Sequence, residues 1–153
     1  MPVCQIRQVQ PSDRDALAQM RALLWPDSKL ADHLKEFDSL LRAAATTLPL
    51  TIFVSYDEVG TLTGFIEVDL RSHADGCDPA RPVGYIEGWF VHEAYRKKGV
   101  GAALMRTAEE WTRSHGCHEM ASDALIDNEP SQLAHQSLGF EVVDRCVHFR
   151  KTL

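Results

Sequence analysis

The sequence predicts an α/β (α+β) fold in which about seven strands and about four helices follow one another. The predicted order is strand, two helices, three strands, helix, strand, helix and two strands. Three observations carry this. Two β-rich runs, Leu50–Tyr56 and Leu62–Leu70, flank Asp57-Glu58-Val59-Gly60-Thr61, a hairpin signal. Apolar residues recur at helical spacing at Leu17, Met20, Leu23 and Leu24, and again at Val100, Leu104, Ala108 and Trp111. The apolar run Tyr85-Ile86-Glu87-Gly88-Trp89-Phe90-Val91 then leads into Arg96-Lys97-Lys98-Gly99-Val100-Gly101, a basic, glycine-containing turn that opens a helix.

Taken in order, Val3 to Val9 reads as a first strand. Ser12-Asp13-Arg14-Asp15 has the form of a capping box, with Asp in place of the usual Glu or Gln. Pro26 ends the first helix near Trp25. Ser28 can cap a second helix, with Leu30, Leu34, Phe37 and Leu41 on one face and Pro49 marking its end. Ser72 to Pro82 lacks periodicity and reads as a loop; Val83 to Val91 is the strand before the glycine turn. The segment Ala102 to His115 is amphipathic, and Gly116 can close that helix in the left-handed conformation. Cys117 to Ser122 is a short strand and Ser131 to Leu138 a helix ending at Gly139. Phe140 to Val143 and Cys146 to Arg150 finish the sheet as a hairpin.

A chain of 153 residues is expected to form one domain burying roughly two-thirds of its unfolded surface. Its 44% hydrophobic and 25% charged residues are ordinary for a globular protein. A formal charge of −6 disfavours nucleic acid, which selects basic surfaces, and suits a cationic substrate. Met1-Pro2-Val3-Cys4-Gln5-Ile6-Arg7 lacks a signal-peptide core and no apolar run is long enough to span a bilayer, so a cytoplasmic protein is expected. Cys4, Cys77, Cys117 and Cys146 are scattered; Cys117 and Cys146 lie in apolar strand-like runs, where buried free thiols are expected. His115 and His118 have no further ligands nearby, and no metal site is expected.

The glycine turn carries the chemistry. The first N–H groups of a helix have no internal partner, and the helix dipole places about half a positive charge there. Glycine lets the main chain approach an anion, and Arg96, Lys97 and Lys98 add charge around it. No Gly-Lys-Ser/Thr closes the turn, so it is not a P-loop, and the three-glycine dinucleotide frame is absent.

Arg-x-x-Gly-x-Gly after a strand and opening a helix resembles the acetyl-coenzyme A site of the GNAT acyltransferases. The predicted element order is also similar to theirs, so the resemblance covers nearly the whole chain as one domain, residues 1–153, and implies a mixed, mostly antiparallel sheet. Further strings resemble one branch, the aminoglycoside 6'-N-acetyltransferases: Leu24-Trp25-Pro26, Glu87-Gly88-Trp89-Phe90-Val91, Ala121-Ser122-Asp123-Ala124 with Asn128, and His135-Gln136-Ser137-Leu138-Gly139-Phe140, followed by Arg145, Phe149 and Lys151.

The resemblance implies acetyl-CoA as cosubstrate and no metal. Its pantetheine arm would pair with the backbone of Trp89, Phe90 and Val91, and its pyrophosphate would lie on Lys97, Lys98, Gly99, Val100, Gly101 and Ala102. Trp25, Glu87, Asp123, Asn128 and Asp144 match positions that contact the aminoglycoside, and Asn128 is also counted as cofactor-binding. Asp144 stands where Glu is expected, and around His73 and Ala74 a Tyr is missing. A cationic aminoglycoside, a homodimer through the terminal strands and a role in antibiotic resistance are further implications.

Because carboxylates that bind an ammonium group also hold its proton, a positioned base is useful. Asp123 is the expected base and Glu87 the runner-up. Each also fits a plainer role, Asp123 capping the following turn and Glu87 in an ion pair. His135 stands where many GNAT enzymes have a Tyr, and fits an acid, a cofactor contact or simple packing. Trp25 fits a core residue as well as a sugar platform. Acetylation of a polyamine or protein amine is the alternative within the fold; a non-catalytic acyl-CoA-binding module is the alternative outside enzymes.

Overall fold

In the computed structural model, residues 4–42 and 49–153 are described. The elements are β1 Gln5–Gln8, α1 Arg14–Leu24, α2 Leu30–Arg42, β2 Leu50–Tyr56, β3 Leu62–Arg71, β4 Val83–Val91, α3 Val100–Ser114, β5 Met120–Ser122 and α4 Glu129–Ser137. One sheet of five strands runs in the order β1-β2-β3-β4-β5, antiparallel except for the parallel β4–β5 pair.

Each face of the sheet is covered. Leu17 and Met20 of α1 and Phe37 of α2 pack with Ile52, Val54, Phe65 and Phe90 on one side. Val100, Leu104, Met105 and Ala108 of α3 pack with Ile66, Val68 and Ile86 on the other. On β3 the two cores alternate residue by residue, as strand geometry requires. On β4 the alternation breaks. Register runs Glu67↔Gly88 and then Val68↔Ile86, so Glu87 is an extra residue, a β-bulge. Without it, Ile86 and Phe90 would share a face; with it, Ile86 packs toward α3 and Phe90 toward α1.

Several sequence expectations are corrected. The predicted terminal hairpin is absent, which is why the sheet has five strands among the described residues rather than about seven. Phe140–Val143 and Cys146–Arg150 have strand composition but no hydrogen-bonding partner strand among the described residues. Residues 141–153 are exposed, Phe149 to 93%. Cys146, expected buried, is exposed with them, whereas Cys117 is buried. The face of α2 is rotated: Phe37 and His33 are buried, Leu30 and Leu41 exposed. Asp32 and His33 N–H donate to Lys29 O, so Lys29 rather than Ser28 stands at the start of α2.

At the N-terminal side, Asp13 pairs with Gln10 instead of Ser12 with Asp15. Gln10 N–H donates to Asp13 Oδ2 at 2.8 Å, and both guanidinium nitrogens of Arg7 donate to the same carboxylate at 2.6 and 2.9 Å. The Arg7 pair holds the Asp13 pKa below the usual carboxylate range. Val3, expected in the first strand, lies outside the described residues.

Candidate active site

The parallel pairing of β4 with β5 covers only Gly84–Ile86 against Met120–Ser122. Beyond it β5 ends, and Glu87–Val91 keep β3 on one side with no strand on the other among the described residues. The backbone of Trp89, Phe90 and Val91 thus borders an opening in the sheet. Trp89 Nε1 donates to Gly101 O at 3.2 Å, tying this stretch to the first turn of α3. His135 of α4 stands edge-on to Trp89 at 5.2 Å, with its Nε2 2.8 Å from Ser122 Oγ.

The glycine turn has the conformation its residues suggested. Gly99 lies at φ +83 and precedes α3, which starts at Val100; the first helical bond runs from Ala103 N–H to Gly99 O. The N–H groups of Val100, Gly101 and Ala102 are therefore free of intrahelical acceptors. Lys97 also has a positive φ, 59°. Lys98 Nζ donates to Ala94 O at 2.7 Å, while Lys97 and Lys98 remain exposed. Asn128 accepts from Ser131 N–H at 3.2 Å and caps α4.

On the α1/α2 face a cavity of about 360 Å³ is lined by Arg21, Trp25, Ser28, His33, Glu36, Leu50, Glu67, Asp69 and Glu87. Pro26 ends α1 so that Trp25 leaves the helix and lies over Gly88; a Cβ at 88 would stand 2.6 Å from Trp25 Cη2. His33 stacks on Trp25 at 6.1 Å and Arg21 lies 4.9 Å from the same ring. Arg21 is paired with Glu67 and, at 2.6 Å, with Glu36. Arg71 donates to Glu87 Oε1 through Nε at 3.0 Å and Nη2 at 2.6 Å, and lies 3.4 Å above the Tyr85 ring.

Charge in this cavity is unbalanced. Burial pushes the Glu67 pKa up against the opposing pull of Arg21. Burial and the neighbouring charge of Glu87 push Asp69 up to about 7. Tyr85 is raised by burial and by its hydrogen bond to Asp123. Four carboxylates against one lining guanidinium is an arrangement for cations.

Of the residues singled out in the sequence, Trp25 and Glu87 line the cavity, Phe90 packs on the same face, and Trp89 and Val91 pack on the α3 face, where Trp89 is tied to the turn from Lys97 to Ala102 at Gly101. Asp123 is exposed just past β5 and is linked back to β4 through Tyr85. Asp144 lies in the exposed terminal stretch, where its Oδ1 accepts the N–H of Arg145, and is not brought to the cavity within this chain. Sequence reasoning missed Arg21, His33, Glu36, Glu67, Asp69 and Arg71. Glu67-x-Asp69 carried a signal: two acids at the two-residue strand period put both on one face of an otherwise apolar strand.

The Acetyltransferase (GNAT) family model matches residues 17–140. The aminoglycoside N(6')-acetyltransferase type 1 of Stenotrophomonas maltophilia is 38% identical over 97% of this chain and 93% of that enzyme; the enzyme of the same name from Klebsiella aerogenes is 35% identical over 97% and 96%. Among solved structures, AAC(6')-Iy in complex with the bisubstrate analogue CoA-S-monomethyl-acetylneamine superposes with a TM-score of 0.86, at 33% identity, covering 98% of this chain and 99% of that one. AAC(6')-Ih from Acinetobacter baumannii gives 0.85 at 31% identity, with 98% and 99% covered. The chain belongs to the GNAT acetyltransferase family, in the branch of the aminoglycoside 6'-N-acetyltransferases.

Proposed function

We propose that this protein is an aminoglycoside 6'-N-acetyltransferase conferring resistance: it transfers acetyl from acetyl-CoA to the 6'-amine of the drug by direct attack. The observation that carries the reading is the placement of Glu87 at the bulge of β4. There a carboxylate-lined cavity on one face meets, within two residues, the backbone of Trp89–Val91, which pairs with β3 on one side, has no strand on the other among the described residues, and leads to the α3 turn.

Acetyl-CoA enters along that backbone, with its pyrophosphate on the amides from Lys97 to Ala102 and Asn128 at its edge; main-chain N–H near Trp89 stabilises the developing oxyanion. The aminoglycoside takes the cavity, with Trp25 as a platform and Glu87, Asp123 and Asp144 as acceptors. Exposed ion pairs contribute only about 0–1 kcal/mol each, and micromolar affinity needs about −8 kcal/mol. The partly buried carboxylates of the cavity therefore matter more than the net charge. Asp123 takes the proton of the attacking amine, with Glu87 the alternative base. The amine nitrogen bonds to the thioester carbonyl carbon, the carbon–sulfur bond breaks, and the coenzyme A thiolate leaves and is protonated.

In this reading the chain acts in the cytoplasm as a single GNAT domain that pairs into a homodimer through its terminal residues. No helix among the described residues is long and apolar enough to cross a membrane. Val142, Val143, Val147 and Phe149 are exposed in a stretch of strand composition that finds no partner strand among the described residues. A second copy supplies that partner, and light scattering on the chain ended at Gly139 should show its loss. Asp144 reaches an aminoglycoside only through such pairing.

Coupled thiol-release kinetics tests the activity. Aminoglycosides carrying the 6'-amine should release coenzyme A, and analogues lacking it should not. Equal turnover of both, or faster turnover of a polyamine or a peptide amine, would overturn the assignment, and absence of thiol release with every amine would leave a binding module.

A further inference from the structure

The carboxylates of the cavity are not equally provided for. Glu67 and Glu36 are held by Arg21, and Glu87 by Arg71. Asp69 has no such cation. Its Oδ1 is buried without a hydrogen-bond partner among the described residues. Asp69 sits opposite Tyr85 in the β3–β4 ladder, and the bulge turns Glu87 onto the same face, so that both carboxyl groups line one cavity. Two carboxyl groups can hydrogen-bond to each other only with a proton between them.

The surrounding groups leave that proton in place. From β3, Glu67 adds a like charge and Arg71 an opposing one already committed to Glu87. From β4 come Glu87 and Tyr85. From α1, Arg21 is committed to Glu67 and Glu36; from α2, Glu36 is so paired. His33 of α2, 2% exposed, lines the same cavity with neither ring nitrogen hydrogen-bonded among the described residues. With Arg21 Nε also unpartnered among those residues, these buried polar atoms point to a polar ligand, and Asp69 Oδ1 is the acceptor among them that calls for a donor.

We propose that Asp69 and Glu87 hold one proton between them in the ligand-free enzyme and exchange it for an ammonium group of the substrate. This rests on the cavity being the aminoglycoside site. Free enzyme carries Asp69 as the acid, donating to the Glu87 carboxylate. A substrate ammonium enters, the Asp69 proton leaves to solvent, and both carboxylates accept from the ammonium; one cation enters for one proton released. Asp69 is thereby a positioning residue for the bound drug, separate from the base that serves the reacting amine. Burial and the neighbouring Glu87 charge, which push Asp69 up to about 7, favour its holding that proton in the free enzyme.

The exchange makes binding pH-dependent, because a proton released on binding tightens it as pH rises. Calorimetry with kanamycin in phosphate and Bis-Tris buffers at pH 6 should show close to one proton more released by the wild-type enzyme than by Asp69→Asn. The wild-type dissociation constant should fall about tenfold between pH 5.5 and 6.5, beyond any change in the variant. Asn keeps the shape and can donate to Glu87, so a packing defect alone would not remove the pH dependence. Carboxyl-carbon NMR titration of the ligand-free enzyme is the second measurement: a carboxyl group with a midpoint near neutrality should be present in the wild type and gone in the variant. Equal proton release by both enzymes, or all carboxyl groups titrating below pH 5, would overturn the exchange alone. Failure of kanamycin to bind at any pH would overturn it together with the assignment of the cavity.

Discussion

Tyr85 Oη donates a 2.7 Å hydrogen bond to Asp123 Oδ2, joining the middle of β4 to the residue just past the end of β5. Because Arg71 lies over the Tyr85 ring and donates to Glu87, the carboxylates of Glu87 and Asp123 are fixed through one Arg–Tyr stack. The two candidate bases are therefore held relative to each other although only Glu87 lines the cavity.

Asp123→Asn keeps an acceptor for Tyr85 and removes the charge and the proton affinity. Turnover with kanamycin or tobramycin should fall at least tenfold. Steady-state kinetics on folded variant decides it, and wild-type turnover would remove Asp123 as base.

Gly99→Asp places bulk and negative charge where the pyrophosphate binds. A Cβ there has open space around it, but the φ of +83 costs an L-residue about 1 kcal/mol. Acetyl-CoA affinity, read by calorimetry, should weaken at least tenfold. Gly99→Asn, neutral and tolerant of the left-handed region, should weaken it less than threefold. Equal loss in both would assign the effect to strain instead of charge.

Gly88→Ala sets a Cβ 2.6 Å from the Trp25 ring, which must then move off the cavity wall. The Michaelis constant for aminoglycoside should rise severalfold with acetyl-CoA affinity unchanged. A change confined to acetyl-CoA would refute the placement of Trp25 on the drug's side.

The raised pKa of Asp69 also shows in stability. Its folded value of about 7 lies above the unfolded value near 4, so folding favours the protonated form. The stability this adds is present below pH 4 and lost as pH rises through about 7. Between pH 5 and pH 8, wild type should lose melting temperature relative to Asp69→Asn. Parallel melting curves for the two proteins across that range would contradict the shift.

The legible parts of the fold were those specified by nearby residues. The β2–β3 hairpin and the start of α3 each carry their turn within a few positions, at Asp57–Thr61 and Lys97–Gly101. The terminal runs read as strands because Val142, Val143 and Val147 have strand composition, yet composition does not say whether a partner edge exists. The face of α2 was misread because His33, a polar residue, occupies the buried stripe under Trp25, where apolar spacing cannot register it. At the site, Trp25, Glu87 and the glycine turn stood out as strings. Asp69 and Arg71 acquire meaning only once the ladder sets them beside Glu87.

The bulge at Glu87 makes the length of β4 a harder constraint than its composition. Removing one residue there would restore a regular ladder and turn Trp89 toward α1 and Phe90 toward α3, emptying both cores at once. Descendants of this sequence can therefore exchange side chains along the strand far more readily than they can shorten or lengthen it.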